Sequence, residues 1–259
     1  MSYASRLRRL LVGFQPRLEH LYLLEAFQVE QMLDRLPAPG VATLLRLDPS
    51  LRTVLSTRYP ELERRVGEAF RTGTLTDGDS GDLLWEIADL LVYNVAPDLF
   101  DAVVPAPAAE AILELAPFNG PVADVGAGTG RLALSLARHV PMVYAVEPVS
   151  ALRTFIREQR DRLGFGNVYV LDGFLHDLPF PDDALGGLVT RSALGWRLHA
   201  ELAEVDRVLA PGGHAIHLTG LAMREDAEPL HGLLTGRGYR LGSYNEGRTA
   251  CRAYVKRVE

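Results

Sequence analysis

The chain has 259 residues, 47% of them hydrophobic and 23% charged, with a formal net charge of −6; that is enough for one large domain with a substantial extension, and the acidic balance argues against broad nonspecific binding of nucleic acid. The single cysteine, Cys251, excludes an internal disulfide and suits a buried place in a terminal strand. No apolar run approaches the roughly 18 residues of a membrane span, and the apolar patch behind Arg6, Arg8 and Arg9 is too short for a secretory signal, so a cytoplasmic protein without a membrane partner is expected.

From Arg17 to about Val104, apolar residues recur at helical spacing with almost no period-two alternation. Leu18, Leu21, Leu24 and Phe27 share one face of a helix that Pro37-Ala38-Pro39-Gly40 stops. Asp48-Pro49-Ser50 reads as a helix start with proline in the first turn, and Tyr59-Pro60 opens a further helix through Phe70. The stretch Thr72–Gly81, rich in Gly, Thr and Asp, reads as a solvated turn, because it lacks the glutamate that ends a calcium-binding EF-hand loop. Asp82 to Asn94 is a strongly apolar helix carrying Trp85, Leu90, Leu91 and Tyr93. Residues 1–104 are therefore expected to form a helical cap or dimerisation region, with a homodimer as the assembly that the second role implies.

Beyond Pro105 the pattern changes to helices alternating with short apolar strands. A helix over 108–115 leads to a strand over 122–125, a helix over 130–139 to a strand over 142–146, and a helix over 150–163, closed by Gly164, to a strand over 168–171. After a loop holding Asp177-Leu178-Pro179-Phe180-Pro181-Asp182-Asp183 come a strand over 185–190 and a helix over 198–209 that Pro211-Gly212-Gly213 ends. A strand over 214–218, a helix over 226–235 and a hairpin of strands 239–244 and 249–255 complete the chain. Such alternation predicts an α/β fold over residues 105–259: a Rossmann-like, doubly wound seven-stranded sheet with its last strand antiparallel, preceded by the helical extension. Ligands bind such sheets at the carboxyl ends of the strands, where the strand order reverses. The residues to read for function are thus Asp124 to Gly130, Glu147, Asp172 to Leu175, and Thr190 to Ser192.

At the end of the first strand, Asp124-Val125-Gly126-Ala127-Gly128-Thr129-Gly130 runs straight into Arg131-Leu132-Ala133-Leu134 at helical spacing. Glycines at such a turn allow positive φ and bring bare backbone N–H groups against a ligand. Their spacing is G-x-G-x-G, and Arg131 stands where the dinucleotide fingerprint G-x-G-x-x-G has its last glycine. Glu147, ending the second strand, can accept hydrogen bonds from both hydroxyls of an unphosphorylated ribose. Together these features indicate an adenosine-type ligand without a pyrophosphate, and they disfavour a nicotinamide enzyme.

Four motifs stand in order: Val122–Gly130, Val146-Glu147-Pro148, Asp177–Asp183, and Arg207-Val208-Leu209-Ala210-Pro211-Gly212-Gly213-His214. With them, the segment from Val122 to about Leu218 resembles the class I S-adenosylmethionine-dependent methyltransferases, in their small-molecule, methyltransferase type 11-like branch. The resemblance implies S-adenosyl-L-methionine as cofactor, S-adenosyl-L-homocysteine as product, no metal, and a small-molecule acceptor. It implies that Gly126, Ala127, Gly128 and Gly130 lie against the methionine end of the cofactor, with Asp124 near its amino group. Glu147 would hold the ribose hydroxyls, and Pro148 would lie against the adenine. Gly173, Phe174 and Leu175 would cap the adenine edge, and Arg191 would sit beneath the cofactor. The sequence departs from the family pattern twice. Phe174 stands where an adenine-binding Asp is usual, with Asp172 two residues earlier, and Leu185-Gly186 replaces the usual Phe-Asp pair of the fourth strand. These departures motivate an alternative, a non-catalytic binding or scaffold subunit on the same fold.

Methyl transfer from a sulfonium is an in-line displacement, so proximity, orientation and deprotonation of an O–H or N–H acceptor are what a protein adds. No dedicated nucleophile is required, and no catalytic residue is assigned. His199 and Tyr93 are the acceptor-side candidates, with Trp196 close to His199 just past the fourth strand. His214 and His217 lie three apart on a strand and point to opposite faces, so they do not share a metal. Ser150 and Ser192 lack a nucleophile-elbow context, which disfavours a hydrolase.

Overall fold

The computed structural model describes residues 23–25, 27–28, 31, 90–103, 108–219, 228–246 and 249–259. Of the helix expected up to Pro37, residues 27, 28 and 31 are helical whereas Leu24 and Glu25 are not; the other helices expected before Leu90 and the turn over 72–81 lie outside the described residues. The chain divides into two compact units, Met1–Val103 and Val104–Glu259. In the first, residues 90–95 are helical and α1 spans Pro97–Val103. Asn94 donates from its amide to Gln28 Oε1 (2.8 Å), which also accepts from the Glu25 N–H (2.9 Å). Tyr93 packs edge-on against Phe100, with ring centroids 4.6 Å apart. No helix among the described residues is long and apolar enough to cross a membrane.

The second unit alternates as α2 (Ala109–Leu115), β1 (Val122–Val125), α3 (Arg131–Leu136), β2 (Val143–Val146), α4 (Ser150–Leu163), β3 (Val168–Leu171), β4 (Leu185–Arg191), α5 (Leu198–Val208), β5 (Leu209–Thr219), α6 (Glu228–Gly236), β6 (Arg240–Glu246) and β7 (Thr249–Arg257). These build a seven-stranded sheet in the order β3-β2-β1-β4-β5-β7-β6. The first five are parallel, and β7 runs antiparallel to both of its neighbours. This is the doubly wound architecture, with its last strand antiparallel, that the strand–helix alternation predicts. The order reverses between β1 and β4, so a crevice opens at their carboxyl ends.

The alternation of side chains along each strand sends every second residue to one of two cores. Val122, Val143, Ala145, Val189 and Ile216 join Ile112 of α2, Leu132 of α3 and Ile156 of α4 on one face. Ala123, Val125, Val146, Leu188 and Ala215 join Leu202 and Val205 of α5 and Leu234 of α6 on the other. Both faces are covered, which is why β1 is buried throughout its length. On the second face, the buried His217 links two hydroxyl groups, with Nδ1 2.8 Å from Thr190 Oγ1 and Nε2 3.1 Å from Tyr239 Oη.

The Pro211-Gly212-Gly213 turn behaves differently from the sequence expectation. It does not separate helix from strand, because α5 ends at Val208 and β5 begins at Leu209. The turn is an irregularity inside β5, where the pairing with β4 shifts register between Leu185 and Gly187. Gly212, at φ +84°, donates its N–H to Val258 O (2.8 Å), and Val258 N–H returns to Gly213 O (2.9 Å). The C-terminal end of the chain thus supplies the partners that the local sequence does not reveal.

Gly186 has an equally physical explanation. Gly187 pairs with Val122 at the start of β1, whereas Thr190 pairs with Val125 at its end. Gly186 therefore lies at the amino end of the sheet, away from the crevice. Both Gly186 and Gly187 donate to Pro121 O, at 2.9 and 3.2 Å. A Cβ on Gly186 would run into the carbonyl oxygen of Asn119, and one on Gly187 into the Phe118 ring. The missing Phe-Asp pair is a packing feature of the 118–121 segment and is remote from the ligand end. Gly186→Ala is expected to destabilise the protein by roughly 2 kcal/mol or more, because the clash is with backbone. Gly232→Ala, on the exposed side of α6 with open space around it, is expected to stabilise by about 0.5–1 kcal/mol. Urea unfolding of both variants checks the pair, and equal midpoints would refute this account of Gly186.

Candidate functional site

The turn after β1 takes left-handed backbone at Gly126, Gly128 and Gly130, with φ of +72°, +58° and +78°. Close packing fixes the outer two. A Cβ on Gly126 would come within 2.5 Å of Ala193 Cβ, and one on Gly130 within 2.9 Å of the Ile156 side chain. The N–H groups are not bare, contrary to the sequence expectation. Gly126 and Ala127 both donate to Val146 O (2.9 and 3.1 Å), Gly130 donates to Ala127 O (2.8 Å), and Gly128 donates to Glu147 Oε2 (2.8 Å). The start of α3 is also capped from a distance, since the Ala133 N–H donates to Asp124 Oδ2 at 2.9 Å. A carboxyl group thus already stands at the positive end of that helix, where an anionic ligand would otherwise bind.

Asp124 and Glu147 are both buried. Burial pushes the Asp124 carboxyl up to about 7, against the lowering effects of the Ala133 N–H and the Arg191 guanidinium. Burial likewise pushes Glu147 up to about 7, opposed by the N–H groups of Val149 and Gly128 and reinforced by Asp124. Glu147 Oε1 accepts from Val149 N–H at 3.0 Å, so each of its oxygens holds one backbone donor. Arg153 of α4 steadies the same corner, donating to Glu147 O (2.9 Å), Pro148 O (2.6 Å) and Asp172 Oδ1 (3.0 Å). Asp172 is exposed, and its carboxylate is engaged by Arg153.

The next wall is the loop after β3. Gly173 is needed for close approach, since a Cβ there would lie 3.0 Å from both Pro179 and Val146. Phe174 and Asp177 exchange backbone hydrogen bonds (3.4 and 3.0 Å), and the Phe174 ring stacks on His176. Leu175 turns its side chain into the core beside Val146 and Leu178, leaving only its backbone for a ligand. Arg207 clamps this loop, donating to Phe180 O (2.8 Å), Leu178 O (3.3 Å), Asp182 Oδ1 (2.9 Å) and Glu204 (2.7 Å). Glu204 in turn accepts from the Leu178 N–H at 3.0 Å.

Residues 122–213 match the family model described as "Methyltransferase domain". A curated relative, the ubiquinone/menaquinone biosynthesis C-methyltransferase UbiE of Geobacter sulfurreducens, is 33% identical over 108 residues, which cover 39% of this chain and 41% of that protein. Among solved structures, a candidate S-adenosyl-L-methionine-dependent methyltransferase from Methanococcus maripaludis superposes with a TM-score of 0.51 at 16% identity, over 58% of this chain and 84% of that one. Residues 122–213 are thus similar to methyltransferase domains, and the fold is the one those proteins share. The [4+2]-cyclase SpnF shares the fold, with a TM-score of 0.50 and 16% identity over 58% of this chain and 79% of its own, so the architecture alone does not name a reaction.

The loop after β4 borders the crevice on its next side. Arg191 ends the strand, close enough to Asp124 to favour its charged form. Ser192 takes φ +57° and donates its N–H to Leu218 O at 3.1 Å. Glu201, buried in the first turn of α5, then accepts the N–H groups of Gly195 (2.7 Å), Trp196 (2.9 Å) and Arg197 (2.8 Å). Sequence reasoning passes over Glu201, whose one signal is an acid in the first turn of a helix. His199 stands exposed in that first turn, and the Trp196 side chain is 43% exposed. Tyr93 belongs to the first unit and packs on Phe100 there. Among the described residues no cluster of His, Cys, Asp and Glu is placed to hold a metal.

These burial effects have a pH signature. Asp124 titrates at 3.8 when unfolded and at about 7 when folded, so between those values the native state keeps a proton that the unfolded state has lost. Its contribution to stability is complete below pH 4 and lost as pH rises through 7. His217 has the opposite sign: burial pushes it down to about 3, so its contribution is lost as pH falls below 6.5. Asp124→Asn removes the first effect and keeps the second. The unfolding free energy of the variant is expected to rise relative to the parent between pH 4 and pH 8, by on the order of 3 kcal/mol. Urea midpoints measured across that range check this, and parallel curves would count against a buried, protonated Asp124.

Proposed function

We propose that the chain is an S-adenosyl-L-methionine-dependent methyltransferase acting on a small molecule. One observation carries the reading: the glycine turn spends its N–H groups inside the protein, on Val146, Ala127 and Glu147, while Asp124 caps α3. Such a site repels a pyrophosphate and suits a ligand that brings positive charge and hydrogen-bond donors. S-Adenosyl-L-methionine fits, with an ammonium, a sulfonium and two ribose hydroxyls. The family match over residues 122–213 and the UbiE relative support this reading. That relative's name and the net charge of −6 favour a small-molecule acceptor over nucleic acid.

On this reading Glu147 accepts the ribose hydroxyls, Pro148 and Phe174 border the adenine, and Gly173 and the backbone of Leu175 cap its edge. Asp124 neutralises the ammonium. Gly126, Ala127, Gly128 and Gly130 give the methionine end a wall free of side chains beyond a methyl group, and Arg191 favours the charged form of Asp124 against the effect of burial. The chemistry the cofactor supplies when bound is a methyl group activated on sulfur. The residues of the chain orient that group, exclude water and leave room for an acceptor beside Trp196 and His199. Residues 1–104 serve as a helical cap or dimerisation region, in a cytoplasmic protein.

Titration calorimetry with S-adenosyl-L-homocysteine tests the reading. A ligand that prefers ionised Asp124 and Glu147 must displace their protons below about pH 7. The expected outcome is affinity that rises from pH 6 to pH 8, proton release at the lower pH in buffers of different ionisation enthalpy, and loss of binding in Glu147→Ala. Absence of binding by a folded sample overturns the reading.

A further inference from the structure

The loop between β4 and α5 lies at the carboxyl end of β4 and borders the crevice. It enters through Ser192 in the left-handed region and passes Gly195 at φ +123°. Ser192 has a side chain that makes its left-handed conformation costly, whereas Gly195 adopts its own φ freely and leaves the backbone there permissive, so external contacts must hold the loop in place. The N-cap of α5, Arg197, contributes no side-chain hydrogen bond. The holding group is instead the Glu201 carboxylate, which reaches back from inside the helix. Oε2 takes the Gly195 N–H, and Oε1 takes those of Trp196 and Arg197. Glu201 is 1% exposed, and a buried carboxylate with three backbone donors at a helix amino end is a strong anchor.

At the other end of the loop, Ser192 N–H is tied to Leu218 O. Between the two anchors sits Ala193, whose Cβ occupies the space that a side chain on Gly126 would need. The surface of the glycine turn is therefore shaped in part by a residue whose position depends on α5.

We propose that Glu201 is a positioning residue for the cofactor site: it fixes Gly195–Arg197, thereby holds Ala193 against Gly126, and sets the backbone from which the exposed Trp196 projects. The proposal rests on the cofactor reading given above. Its distinctive claim is that a carboxylate touching neither cofactor nor acceptor controls affinity for the cofactor.

Hydrogen exchange of the 195–197 amides and calorimetric binding of S-adenosyl-L-homocysteine, measured on the full chain, test it together. In the parent, the three amides are expected to exchange slowly. In Glu201→Ala they exchange fast, and affinity falls about tenfold. Glu201→Gln keeps one carbonyl oxygen for Trp196 and Arg197 but turns an NH2 toward Gly195. It should speed exchange at Gly195 alone and weaken binding less than alanine does. If Glu201→Ala does not fold, the glutamine variant decides the matter by the same two readouts.

A purely structural glutamate would lower the urea midpoint with affinity unchanged, and that result overturns the proposal. So does slow exchange at all three amides in Glu201→Ala, or at Gly195 in Glu201→Gln. Failure of the parent itself to bind strikes the methyltransferase reading, whereas normal binding by parent and variants alike strikes this proposal only.

Discussion

The N–H groups of a tight glycine turn have to be satisfied somewhere, and between Gly126 and Gly130 this protein satisfies them from within. Val146 O takes two, Ala127 O takes one, and the Glu147 carboxyl takes the fourth. Asp124 does the same for the first turn of α3. The arrangement requires two carboxyl groups to be buried side by side, and burial raises both toward neutrality. Holding two carboxyl groups out of water costs stability wherever the unfolded chain would ionise them. A ligand that brings cations and hydroxyl donors relieves that cost on binding. The same groups that close the turn to phosphates thus give it a preference for positive charge.

Around that corner the protein invests in fixing loops. Arg207 and Glu204 of α5 hold the 177–183 loop by its backbone oxygens and one N–H, which explains why an Asp-Leu-Pro-Phe-Pro-Asp stretch and an Arg-Val-Leu stretch occur in the same chain. Arg153 of α4 holds the backbone of Glu147 and Pro148. Glu201 holds the loop after β4. In each case a charged side chain on a helix captures backbone groups of a neighbouring loop. Charge-assisted bonds of this kind are stronger than neutral ones, and they set loop geometry without occupying the crevice.

Much of this was legible in the chain. The strands over 122–125, 168–171 and 185–190 and the helix over 150–163 follow from apolar runs and helical periodicity, and the glycine and acid positions at the strand ends follow from the doubly wound topology. The acids at 124 and 147 were readable because a lone carboxylate ending an otherwise apolar strand has no packing reason to be there. The role of Gly186 was not readable. From the sequence it looks like a lost functional acid, and only the register with β1 shows that it sits at the far end of the sheet, under Asn119. Pro211-Gly212-Gly213 was equally opaque, since its partners come from Val258, some 45 residues on.

What the sequence determined by itself is local: where strands and helices run, where the backbone must turn tightly, and which chemical groups stand at the strand ends. Periodicity and glycine spacing encode these within a dozen residues. What the tertiary structure alone decided is where donors and acceptors find each other. The turn offers a ligand no bare N–H at Gly126, Ala127, Gly128 or Gly130, because Val146, Ala127 and Glu147 have taken those groups first. Glu201 became part of the site's frame because α5 brings it beneath a loop with no cap of its own. Hydrogen-bond satisfaction is a property of the folded chain as a whole, and the pattern of one segment does not specify its partner in another.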